Sequence, residues 1–180
     1  MDIAASDRAQ ELSRSLVEAA EGWVVELEKL TPDHWVMRGV NAPEIRLGDD
    51  EDRPVGVIAH HVAIGLALHT EMIQQLTRGE SVWLPHLDID ALADFNARHS
   101  EENPHPDQAA TLELLRNNAS TLAEVIRHLS DESLDHPGDA YGFHLTVEEF
   151  VNRIAIGHGN WHLSSIRATI EENARTGNVR

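Results

Sequence analysis

Residues 146–169 read TVEEFVNRIAIGHGNWHLSSIRAT, and this stretch decides the fold. Thr146-Val147-Glu148-Glu149 has the Thr-x-x-Glu form of a capping box, in which a hydroxyl and a carboxylate take up backbone N–H groups that a helix start leaves orphaned. Behind it, Val151, Ile154, Ala155, His158, Trp161, His162, Ser165, Ile166 and Thr169 recur at the three-and-four spacing of one helical face. The pattern predicts a closing helix with two histidines on its buried stripe.

Three further stripes precede it. From about Asp7 to Leu30, Leu12, Leu16, Ala19, Ala20, Trp23, Val24 and Leu27 mark a first helix, ended by Leu30-Thr31-Pro32-Asp33. The stretch to Arg53 is rich in Pro, Gly, Asn and Asp and reads as an exposed loop, with Asp49-Asp50-Glu51-Asp52 as a solvated acidic run. Pro54 suits the first turn of a second helix, whose stripe is Val57, His61, Ile64, Gly65, Leu68 and Met72 and which runs to about Thr77. Residues 80–105 read as a long crossover with a short helix near Asp90–His99. After Pro106, Leu115, Asn118, Ala119, Leu122, Val125, Ile126 and Leu129 mark a third helix, and Ser130–Leu145 reads as a loop. Leu30-Thr31-Pro32-Asp33 and Leu129-Ser130-Asp131-Glu132 echo each other, each ahead of a histidine-bearing helix.

These elements predict an all-α chain, a single four-helix-bundle domain over residues 1–180, with a long crossover between its second and third helices. The length suffices to bury a core without disulfides. There is no cysteine, so a bound transition metal must be held by His, Asp or Glu. A formal charge of −17 opposes phosphate backbones and anionic lipid, and no basic patch or recognition motif offsets it, so neither nucleic acid nor membrane is expected as a partner. The N-terminus lacks the apolar run of a signal peptide, and the expected location is the cytoplasm.

Of the 12 histidines, His34, His86, His105, His136 and His144 fall in loops. His158 and His162 are set apart by their spacing of four, which stacks two imidazoles about 6 Å apart on one helix face, close enough to share an ion. His61 also lies on a buried stripe, where an unpartnered imidazole is unfavourable to desolvate. His61, His158 and His162 are therefore the expected ligands of one divalent ion. His60 is turned about 100° off the stripe, and His69 approaches only from the side. Gly159, Asn160 and Trp161 stand where a zincin motif would carry its glutamate, which argues against a protease.

Pro54-Val55-Gly56-Val57-Ile58-Ala59-His60-His61-Val62 and His158-Gly159-Asn160-Trp161-His162-Leu163 resemble the histidine-bearing helices of the DinB/YfiT-like superfamily of metal-dependent, thiol-using enzymes, related to mycothiol-dependent maleylpyruvate isomerase and to bacillithiol and mycothiol S-transferases. The resemblance covers nearly the whole chain. It implies an up-down-down-up bundle, often a homodimer, with zinc, nickel or iron on His61, His158 and His162. The tryptophan usual before the first histidine helix is replaced here by Asp52-Arg53.

Three neutral imidazoles leave the ion its full charge and an open position. A low-molecular-weight thiol there would be ionised near neutral pH, and a water would be acidified. The expected activity is a metal-dependent thiol S-transfer or thiol-assisted isomerisation on a small electrophile. One Lys, Lys29, against 13 Arg fits a mycothiol user. Arg153 and Arg167 are candidate anchors for a carboxylated ligand, and Trp83, Phe95 and Tyr141 for selectivity. The alternative is a non-catalytic metal-binding or stress-associated bundle.

Overall fold

The structure is a computed structural model that describes residues 6–39 and 53–176. The expected acidic run Asp49–Asp52 lies outside the described residues. The chain is mostly helical. Helix α1 spans Asp7–Leu27, α2 Pro32–Trp35, α3 Val55–Leu76, α4 Ile89–Glu102, α5 Gln108–Arg127 and α6 Asp131–Leu134. A hairpin of β1 (Pro137–Ala140) and β2 (Phe143–Thr146) leads into α7 (Val147–Phe150), a π-helical segment (Val151–Ile156) and α8 (Gly157–Thr176).

Side-chain caps fix where the helices begin. Ser6, Asp107 and Asp88 accept from Ala9 N, Ala110 N and Ala91 N at the starts of α1, α5 and α4. The expected capping box is present: Thr146 Oγ1 accepts from Glu149 N at 3.2 Å, and Glu149 Oε2 accepts from Thr146 N at 2.9 Å. Helix α1 stops three residues earlier than its stripe suggested, its last turn tightening through Lys29 N to Glu26 O and Leu30 N to Leu27 O, and Gln108 Nε2 donates to the carbonyls of Leu27 and Leu30 at 2.8 and 3.2 Å. Pro54 sits at the cap of α3 rather than inside its first turn.

Two expected loops contain structure. Within 31–53, Thr31 caps the one-turn α2 with a box completed by His34, and Trp35 is buried over Gly56, where a Cβ would overlap its indole. Within Ser130–Leu145 lie α6, capped by Ser130, and the antiparallel hairpin pairing Pro137 with Thr146 and Ala140 with Phe143. Its turn places both Tyr141 (φ 53°) and Gly142 (φ 79°) in the left-handed region, the geometry that matches strand twist. Asn or Asp at the first position would have announced that turn; tyrosine concealed it. The echo between the two halves thus has a structural counterpart. A Ser/Thr-capped turn of helix follows α1 and α5 alike, and each is followed by an antiparallel pairing, Arg38 with Pro54 or β1 with β2, that leads into a histidine helix.

Helix α5 packs on both α1 and α3, and the α7–α8 run packs on α1 and α3. Leu16, Leu27, Ile58, Leu66, Ile73, Leu115, Leu122, Ile126, Phe150 and Leu163 are fully buried in one core shared by these helices. Helix α3 is long and apolar enough to cross a membrane, but 72% of its most apolar window is buried inside the fold, as in a core helix. Among the described residues it is the one helix with that character.

Gly159 shows how closely α8 approaches α1. A Cβ there would overlap the Trp23 ring, whose Nε1 donates to Asn160 Oδ1 at 2.8 Å. Gly159→Ala is expected to lower unfolding free energy by about 1–3 kcal/mol through overpacking. Gly22→Ala, in open space on α1, should be neutral or stabilising by up to about 1 kcal/mol. Urea denaturation of both variants checks the pair; equal stability of the two would refute the close approach.

Candidate metal centre

Helix α3 supplies His61 and α8 supplies His158 and His162. The ring nitrogens of the three lie within 4.8 Å of one another. His61 Nε2 is 3.1 Å from His158 Nε2, and His162 Nε2 is 3.0 Å from the same atom. His61 and His162 are buried, at 6% and 0% exposure, while His158 is partly exposed. The three expected ligands therefore converge. Among the described residues no fourth His, Asp or Glu joins them.

Close packing makes the convergence possible. A Cβ on Gly65 would stand 3.2 Å from His158 Cε1, so the glycine one turn beyond His61 opens the space that the imidazole enters. The π segment Val151–Ile156 ends two residues before His158. Widening a helix by one residue rotates the downstream turns by about 100°, which sets the direction in which α8 presents its histidines. Sequence periodicity missed this segment because Ile154, Ala155 and Ile156 are apolar in succession and suit either register.

A second tier of rings surrounds the three. His69, the expected side approach, is buried with its ring 5.5 Å from that of His158 and 5.7 Å from that of Phe150, both edge-on. His60, off the stripe, is not one of the converging three and pairs with His99 of α4, Nδ1 to Nε2 2.8 Å with stacked rings. His99 also lies edge-on to His61 at 5.5 Å, and Phe95 does so at 6.1 Å. The crossover helix α4, longer at Ile89–Glu102 than expected, thus covers the site, and His99 is its one buried residue. His99 carried no sequence signal, since a single histidine on a polar helix is unremarkable; only the fold brings it to His60.

The selectivity candidates divide. Phe95 touches His61 and is backed by Trp83 at 5.2 Å. Tyr141 lies against Met72, its hydroxyl 3.5 Å from Sδ, and not at the histidines. The two anchor candidates are placed elsewhere. Arg167 is exposed and donates from Nε to Glu26 at 2.8 Å, and Arg153 lies over the Phe143 ring. Both point outward because they fall between the buried positions of their helix.

The donor set fits a divalent ion of borderline softness. The Nε2 atoms of the three rings converge, and no carboxylate joins them among the described residues, a donor set that zinc, nickel and iron accept. Burial holds His61 well below the usual imidazole range, reinforced by His162 and His158. His158 is likewise held low by burial, then by His162 and His69. Neutral rings present lone pairs, which is the form a metal needs. Comparison with protein families, curated proteins and solved structures returns no match.

Burial pushes the His69 imidazole down to about 4. Unfolded histidine titrates near 6.5, so between these values the unfolded chain binds the extra proton and stability rises with pH. His69 therefore contributes stability that is fully present above about pH 6.5 and is lost as pH falls toward 4, about 3 kcal/mol in all. Denaturation of metal-free wild type and His69→Leu at pH 7.5 and 4.5 should show the variant losing about that much less on acidification. Parallel losses would contradict the burial of a neutral ring.

Proposed function

We propose that His61, His158 and His162 hold one divalent ion with a coordination position left open, and that the protein is a DinB/YfiT-like metal-dependent enzyme that uses a low-molecular-weight thiol. The convergence of three ring nitrogens with no fourth ligand among the described residues carries this reading. The finer architecture proposed with it is the up-down-down-up bundle, with α1, α3, α5 and the α7–α8 run as its four helices. The proposed setting is the cytoplasm, and a homodimer is the proposed assembly.

When bound, the ion supplies Lewis acidity that ionises a thiol or water near neutral pH. The chain's own groups do the rest. His61 and His158, kept neutral by burial, need not release protons before they coordinate. Phe95, backed by Trp83, offers an apolar wall beside His61 for a small electrophile and keeps water from that side. His69 and His99, packed edge-on against His158 and His61, restrict the ligand rings to one orientation. The class of reaction that suits these features is S-transfer or thiol-assisted isomerisation, of the mycothiol type.

A non-catalytic ion-holding role draws support from the depth of the site, where His162 is fully buried and His61 nearly so. The two readings differ in whether an external ligand can reach the ion.

Elemental analysis of protein purified without an affinity tag should give one zinc, nickel or iron per chain. His158→Ala and His162→Ala should weaken binding by more than about 100-fold, and Gly65→Ala, which crowds His158, by roughly 10-fold. Addition of N-acetylcysteine to the cobalt-substituted protein should produce a sulfur-to-cobalt charge-transfer band. Metal binding without the band would favour the ion-holding role, and a protein that binds no metal would overturn both.

A further inference from the structure

Helix α4 lies against the histidine site, yet it is joined to the fold differently from the other long helices. Helices α1, α3, α5 and α8 are tied into one shared core, whereas α4 makes no extended packing with any element among the described residues. His99 is its one buried residue, and Ile89 at its start is 57% exposed. Little apolar burial holds it down.

The chain on either side of α4 is pinned. Before it, Val82 and Leu84 are buried, and the carbonyls of Leu84 and Pro85 accept from Tyr141 N at 2.7 Å and Gly142 N at 3.3 Å, which ties the approach to the hairpin turn. After it, Pro106 O accepts from the indole N–H of the buried Trp35 at 2.7 Å. Between these anchors α4 carries its own caps. Asp88 Oδ1 accepts from Ala91 N at 2.9 Å, and Asn103 Nδ2 donates back to His99 O at 3.0 Å. The joints outside the caps, His86-Leu87 and Pro104-His105, are exposed.

The face that α4 turns inward carries Leu92, Phe95, Asn96 and His99, all half-buried or buried and at three-and-four spacing. Phe95 and His99 lie edge-on to His61, and His99 Nε2 is 2.8 Å from His60 Nδ1 with the two rings stacked. One imidazole donates to the other whichever of them holds the proton.

We propose that α4 is a hinged lid over the histidine site, fastened by the bond between His60 and His99, and that its opening admits small molecules to His61. The inference rests on the metal-centre reading only for what the lid guards; its own content is the motion. A buried site exchanges a ligand when part of its wall moves, and hinges are short segments at element ends that absorb the change. Helices α3 and α8 carry the core and cannot yield without unfolding it. Opening α4 breaks one hydrogen bond between side chains and uncovers a half-buried face, which places it at the low-stability end of the fold. The capped helix moves as one body, and Pro104 and Pro106, with their fixed φ, limit its travel. Such a lid reconciles an open coordination position with the depth of the histidines.

Hydrogen exchange of the metal-free full chain, read by mass spectrometry, tests the motion. Amides of residues 93–102 should exchange about 100-fold or more faster than those of residues 62–73 in α3 and 115–126 in α5. His60→Phe, which keeps a ring against His99 and removes the bond, should speed exchange of 93–102 by 5-fold or more and leave 115–126 unchanged; His60→Gln, which can still donate to His99, should stay closer to wild type. Diethyl pyrocarbonate, which acylates neutral imidazole nitrogen, should modify His61 at least 5-fold faster in His60→Phe than in wild type, with no change at His69, which lies against Phe150. Wild-type exchange as slow in α4 as in α5, a His60→Phe effect no larger in 93–102 than in 115–126, or an unchanged rate at His61 would overturn the lid. The wild-type comparison decides the matter even if the variants fail to fold. Both readouts use protein without metal, so a chain that binds no ion would remove the metal reading and leave the lid standing.

Discussion

The approach of His61 on α3 to His158 and His162 on α8 constrains everything built around it. Three imidazoles can share so small a space only if the helices are held close and the rings are kept from turning away. Gly65 admits the His158 ring and Gly159 admits the Trp23 indole, so α8 settles against both α3 and α1. Ring-on-ring contacts with His69, Phe95, His99 and Trp161 then restrict each imidazole. Buried imidazoles without a shared partner would carry a desolvation penalty. An ion bound at their point of convergence would offset that penalty, which links the fold to the proposed function through one interaction.

The electrostatic setting has two scales. Over the whole chain the excess of negative charge disfavours anionic partners. Locally, the charge of the buried Arg53 is close enough to help hold His61, His99 and His158 neutral. Charged groups elsewhere, such as Arg167 with Glu26 or Arg8 with Asp135 and Glu148, form surface pairs of modest energetic value.

Much of this was legible in the sequence wherever one periodic stripe or one cap decided the structure. The four long helical stretches, the Thr146–Glu149 box and the three histidines on buried faces were all readable from spacing. The features that escaped depended on single residues or on tertiary contact. Tyr141 hid a hairpin turn that Asn would have advertised, and three consecutive apolar residues hid the π segment. His99 became part of the site only because α4 folds over His60. Arg53 looked like the tail of an acidic loop, and its burial beside the histidines depends on the bridge between Arg38 and Pro54, which no local pattern encodes.

X-ray absorption at the metal edge of the loaded protein, recorded before and after addition of a thiol, separates an open three-histidine site from a closed one. The expected spectrum has imidazole scattering from three histidines at about 2.0–2.1 Å, with no protein sulfur, and a new sulfur neighbour near 2.3 Å once the thiol is present. A metal without imidazole scattering, or one whose surroundings already hold a fourth protein ligand and do not change with thiol, would contradict it.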